Sequence, residues 1–220
     1  MQDNINSENI ISEQYKQDLL DKLNHLISVL TDLSKYGTEI SHDLNKAYEL
    51  IDSLQSFWTG NRYVQLVDIF NLISKDLNSD LKKLTKDIPT SYEKIAKDEA
   101  TKNNISISSV TYSDFYRIGY LPRIISSSIG FNETEINLIK EEVDNYLTRA
   151  IMKIESILDF NCDFYDFNLD IKALEKNFKA DVYSLKTNMD NKIEEAISIF
   201  SSAENFANTT FSDLNIPDSN

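Results

Sequence analysis

The sequence predicts an all-α protein, two long antiparallel helical hairpins packed as an elongated four-helix bundle. Three observations carry that expectation. Apolar residues recur at alternating steps of three and four along most of the 220 residues. Only 4 Gly and 3 Pro are present, where average usage would supply about 15 and 11, so the tight turns of a sandwich, barrel or doubly wound sheet are missing. No run reaches about 18 consecutive apolar residues, so no membrane-spanning helix is expected.

The first helix is read over about 15–57, from Leu19, Leu23, Leu26, Leu30 and Leu33 through Ile40, Leu44, Ala47, Ile51 and Leu54, interrupted only by Gly37. At 1.5 Å per residue it spans ~60 Å, and its narrow stripe needs partners, as a coiled-coil seam does. After a break at Thr59-Gly60 the pattern resumes from Tyr63 to Ile95, nearly as long, so residues 1–103 form one hairpin. Pro89 lies inside this second helix, where it removes a ladder bond and clashes with the preceding turn. A kink or split is expected near Asp87 to Pro89.

Residues 104–132 lose the helical period and collect serines, β-branched residues, Gly119, Pro122 and Gly130. They read as a connector, too aromatic to hang loose. Tyr112, Phe115, Tyr116, Tyr120 and Phe131 are expected to pack back on the helices, with room for a short helix, and the first four are candidate interface residues. The period returns from Ile136 to Ile157 and from Ile171 to Ala203, giving a second hairpin over 133–205. Comparable core positions are offset by about 103 residues, as an internal duplication would leave them. Residues 206–220 are expected to be a flexible tail.

A net charge of −14 repels phosphate backbones and anionic lipid, which argues against nucleic acid and membrane-surface partners. The start, Met1 to Asn9, has neither the basic nor the apolar segment of a secretory signal, so synthesis in the cytoplasm without that route is expected. Cys162 is the single cysteine and cannot form an internal disulfide. Asp159, Asn161, Asp163 and Asp170 match four ligand places of an EF-hand loop. However, Phe164 replaces the required glycine, Asp166 takes an apolar place and Asp170 is shorter than the bidentate glutamate, so an acidic solvated turn is the better account. His25 and His42, 17 residues or ~25 Å apart on one helix, lie off the seam. Glu141-Glu142 and Glu194-Glu195 are adjacent pairs on solvated faces. No phosphate loop, nucleophile elbow or zinc-protease helix occurs. The expectation is no catalytic residue, no metal and no cofactor.

The only tryptophan stands at the first hairpin turn, in Phe57-Trp58-Thr59-Gly60, between two long striped helices. There the sequence resembles the WXG family of small helical-hairpin type VII secretion proteins of Gram-positive bacteria. The resemblance covers roughly residues 10 to 103, and the second hairpin shares its layout without the motif. Gly60 is expected to stop the first helix in a left-handed conformation, and Trp58 to cover the open end of the core. In the family two hairpins pair as a four-helix bundle, and one partner carries a Tyr-x-x-x-Asp/Glu export signal after its second helix. The resemblance implies a tandem pair in one chain, a monomer with an internal pseudo-dimer. Tyr48 and Asp52 have the signal's spacing but lie inside the first helix. Phe200-Ser-Ser-Ala-Glu204 is placed correctly, with Phe for Tyr, and Phe200 also continues the apolar stripe.

The expected function is therefore non-enzymatic recognition by helical surfaces, as an exported type VII protein or as the escort of an exported toxin. Its implied partners are a type VII secretion ATPase or that toxin. Two other classes stay open. One is a helical pore-forming toxin inserting the connector, although Asp114, Arg117 and Arg123 make a poor membrane segment. The other is an intracellular coiled-coil adaptor.

Overall fold

Leu23, Leu26, Leu30, Leu33, Ile40 and Leu44 fall on one face of α1 (Gln2–Ser53), and all six are fully buried. The computed structural model describes residues 2–123, 130–160 and 162–212, with side chains over 13–123, 130–160 and 162–207. At 52 residues α1 runs ~78 Å. It ends in a 3₁₀ turn, Leu54–Ser56, where the amides of Phe57 and Trp58 both donate to the Leu54 carbonyl, at 2.9 and 2.8 Å. The chain then reverses into α2 (Asn61–Lys82).

Pro89 breaks the second helix where its chemistry demands. A π turn over Lys83–Asp87 separates α2 from α3 (Ile88–Lys102), and proline stands in the first turn of α3, where a missing N–H costs least. In an α-helix the Thr85 carbonyl would bond the amide of residue 89, which proline lacks. Buried Ser34 of α1 supplies a donor instead, its hydroxyl lying 2.9 Å from that oxygen. Gly37 makes the approach possible, because a Cβ there would lie 2.3 Å from Thr85 Cγ2.

α3 ends in a Schellman motif. Asn104 takes φ 54°, the Ile105 amide donates to Ala100 O at 2.8 Å, and the Asn104 amide to Thr101 O at 3.2 Å. From there the connector runs as an extended strap along the groove between α1 and α2–α3, without a helix in its described residues. Polar side chains of those helices hold its main chain. Thr31 and Ser34 accept the amides of Thr111 and Ser113, at 3.2 and 2.9 Å. Thr38 donates to Asp114 O at 2.6 Å, while Ser41 and Asn45 bond the amide and carbonyl of Tyr116, at 3.0 and 3.1 Å.

The aromatic residues do not anchor this strap as expected. Tyr112, Tyr116 and Tyr120 are 44%, 60% and 70% exposed, Phe115 is half-buried, and Val110, Ile118 and Leu121 are the residues that enter the core. An extended segment alternates its side chains between two faces, so Tyr112 and Tyr116 share the outward one while Phe115 turns inward.

Asn132 caps α4 (Glu133–Ser156), accepting the Glu135 amide at 3.3 Å, with Glu133 and Glu135 complementing the positive end of the helix. A 3₁₀ turn (Ile157–Phe160) leads toward α5 (Phe167–Ser212). Four long helical rods thus pack as an all-α bundle, with α4 antiparallel to α1 and α5 antiparallel to α2. Buried Asp43 of α1 ion-pairs with Arg149 and Lys153 of α4, and Tyr36 meets Phe160 edge-on at 5.3 Å. The second hairpin turns at that level. Helix α1 also packs against the π turn and α3, with the strap bonded to Thr31 and Ser34 of α1.

Three boundaries differ from expectation, the first being the start of α1 at Gln2 rather than near residue 15. Helix α5 continues through residue 206 to Ser212, and the rest of the expected tail, 213–220, lies outside the described residues. Gly60 does not stop α1; it precedes α2 with φ 113° and ψ −176°, a conformation essentially restricted to glycine. No helix among the described residues is long and apolar enough to cross a membrane.

Candidate functional site

The Trp58-Thr59-Gly60 turn closes one end of the bundle, and the end of the connector meets it there. Thr59 donates its amide to Gly130 O at 2.9 Å, Asn132 donates to Phe57 O at 2.9 Å, and the Gly130 amide reaches Thr59 Oγ1 at 2.8 Å. These bonds bring Trp58 opposite Phe131 as an isolated antiparallel bridge. Trp58 is 1% exposed. Its ring meets Phe131 edge-on at 6.0 Å and Tyr63 at 5.9 Å, so it closes the core as expected of it. Burial and the nearby Asp52 carboxylate push the Tyr63 hydroxyl up to about 12.

Phe200 belongs to the same cluster, stacked on Phe131 with centroids 4.8 Å apart and planes at 16°. Phe131 thus ties the tryptophan turn to the last helix, 142 residues further along the chain by Phe200's place relative to Trp58. Beside them opens a cleft of about 370 Å³, bordered by Gly60, Arg62, Gln65, Ile199 and Phe200. Ile199 is half exposed, Arg62 pairs with Glu195 at 3.0 Å, and Glu204 stands exposed one turn beyond Phe200. The end therefore presents a partly apolar concavity beside the Arg62–Glu195 ion pair, with Glu204 one helical turn beyond Phe200.

The other sequence-level candidates fall elsewhere. Tyr48 is buried with its hydroxyl 2.7 Å from Phe70 O, where it is part of the core. Tyr112, Phe115, Tyr116 and Tyr120 lie along the strap, remote in sequence from the tryptophan turn. His25 and His42 are exposed. In the second turn, Asp170 accepts the Tyr92 hydroxyl at 2.8 Å, and burial followed by Asp163 pushes the Cys162 thiol up, away from reactivity. Asn161 lies outside the described residues. Among those described, no group of three or more His, Cys, Asp or Glu is placed to hold a metal.

No family model matches the chain, and no curated protein or solved structure matches it either.

Sequence reasoning missed Phe131 as the keystone of this end, and it missed the polar row that grips the strap. The row had a signal. Thr31, Ser34, Thr38, Ser41 and Asn45 step by three and four residues, a second stripe beside the apolar one.

Proposed function

We propose that this protein works without catalysis, by helical surface recognition in type VII secretion, as an exported WXG-like protein or as the escort of an exported toxin. The supporting observation is the placement of the Trp58–Gly60 turn, Phe131 and Phe200 around one cleft, with Glu204 exposed beside it. In this reading the cleft receives a side chain of the partner, a secretion ATPase or a co-secreted toxin, while Glu204 supplies an acidic contact. Phe200 would serve as the apolar anchor in place of the family's tyrosine. The protein is made in the cytoplasm and leaves through the type VII route.

A secretion assay tests this in a host carrying the type VII apparatus, comparing the wild type, Glu204→Ala and a truncation after residue 205. Circular dichroism confirms that each remains helical. The expected result is wild-type protein outside the cell and at least tenfold less of the two folded variants. Equal export of all three would place the signal elsewhere, and retention of the wild type would overturn the exported-protein reading.

A further inference from the structure

The groove between α1 and α2–α3 bonds the main chain of its resident strap at successive points, while Val110, Ile118 and Leu121 are the strap side chains that enter the core beneath it. Asn78 and Asn71 stand seven residues, two helical turns, apart on α2. Asn78 accepts the Ile118 amide at 2.8 Å and donates to the Ile118 carbonyl at 3.1 Å. Asn71 does the same to Leu121, at 2.7 and 2.9 Å. A carboxamide can pair with a peptide group whatever side chain that residue carries. The two asparagines, with the hydroxyl row of α1 opposite, therefore read an extended backbone and its direction rather than a sequence. In this they replace the neighbouring strand that peptide recognition at a sheet edge uses.

The strap fills this groove incompletely. Tyr116 and Tyr120 stand largely in solvent. Gly119 borders a cleft of about 340 Å³ with Asn71, Ser74, Lys75 and Asn78, and a Cβ added at 119 meets nothing within 4 Å. An occupant with a long side chain there would make contacts that the strap cannot, and the exposed Lys75 ammonium favours a carboxylate.

We propose that this groove is a peptide-binding surface. Its ligand is an extended segment of a partner protein, aliphatic where the strap has Ile118 and Leu121 and acidic where it has Gly119. The segment displaces the strap and is held by Asn71 and Asn78. The strap competes from within the same chain at an effective concentration in the millimolar range, so binding is weak until the strap is loosened.

The test uses the full chain and fluorescein-labelled peptides of the sequence 109–122, carrying Gly119→Glu or Gly119→Lys, read by anisotropy. Loosening the strap by Ile118→Ser with Leu121→Ser should raise the affinity for the Glu peptide at least tenfold over wild type. The Glu peptide should outcompete the Lys peptide, and adding Asn71→Ala with Asn78→Ala should abolish binding. Absence of binding to the folded loosened variant, binding indifferent to the two asparagines, or equal binding of both peptides would each overturn the proposal. If the loosened variant does not fold, amide exchange in the wild type decides. The Ile118 and Leu121 amides should open locally, at least tenfold faster than those of Leu44 and Phe70, whereas exchange at a common rate overturns it.

Discussion

Replacing Ser34 with alanine removes one hydroxyl that serves two distant segments. Its oxygen accepts the Ser113 amide at 2.9 Å while its proton bonds the Thr85 carbonyl at 2.9 Å. Ser34 and Thr85 are 0% and 2% exposed, and Ser113 is half-buried, so water reaches neither the Thr85 carbonyl nor the Ser113 amide freely. A buried group left unpaired costs about 1–3 kcal/mol. Taking about 2 for the enclosed carbonyl and about 1 for the more accessible amide gives ~3 kcal/mol. For a chain of this size that lowers Tm by about 6–12 °C. Calorimetry or denaturant unfolding measures the loss, and a double-mutant cycle apportions it. Pro89→Ala restores an amide one helical turn after Thr85, so Ser34→Ala should cost about 1–2 kcal/mol less in that background. A single-mutant loss below about 0.5 kcal/mol, or a cost unchanged by Pro89→Ala, would refute the assignment of Ser34 as the carbonyl's substitute donor.

Trp58→Ala should destabilise the chain by about 3–5 kcal/mol in urea unfolding, since it empties the centre of the Tyr63, Phe131 and Phe200 cluster. Gly37→Ala should cost about 1–3 kcal/mol through overpacking against Thr85, measured in the same way, with Thr85→Ser recovering part of the loss. Burial pushes the Glu93 carboxyl up, but the Lys97 ammonium, the Tyr112 hydroxyl and the Val110 amide outweigh it and hold it below 4.5. A depressed carboxylate contributes stability above its unfolded value, and that contribution is lost as pH falls through the folded one. The protection of the Val110 amide, the intrinsic exchange rate at each pH relative to the observed one, should therefore fall below about pH 4.5 and lose that dependence in Glu93→Gln. Identical profiles for the two proteins would refute it.

The bundle was legible because burial needs a stripe, and stripes at steps of three and four are written directly in Leu23 to Ile51 and Ile171 to Ala196. The break at Pro89 was equally legible, since a missing amide is a property of one residue. The strap was not. Its grip depends on serines, threonines and asparagines, which on a helix surface look like any solvated row, and only the partner's extended backbone reveals that they are spent on it. The end of α5 was missed for a related reason. Helix propagates from a packed stretch through residues that show no stripe of their own, as Phe206 to Ser212 do. At the candidate site the tryptophan turn was visible as a motif, while its junction with Phe200 depended on Phe131, a lone aromatic outside any periodic segment.

The strap's rungs also carry an order in time. The bonded pairs Glu93–Val110, Asn78–Ile118, Asn71–Leu121 and Thr59–Gly130 lie 17, 40, 50 and 71 residues apart. Closing the widest loop unaided would cost the most chain entropy, yet once the rung nearest the Asn104 turn has formed, each following one encloses only a few more flexible residues. The strap can therefore close like a zip from α3 toward Trp58. α4 starts where the zip finishes, so closing in this order would leave the alignment of the second hairpin to last. Weakening the Asn104 end should slow folding, whereas weakening the Gly130 end should chiefly hasten unfolding.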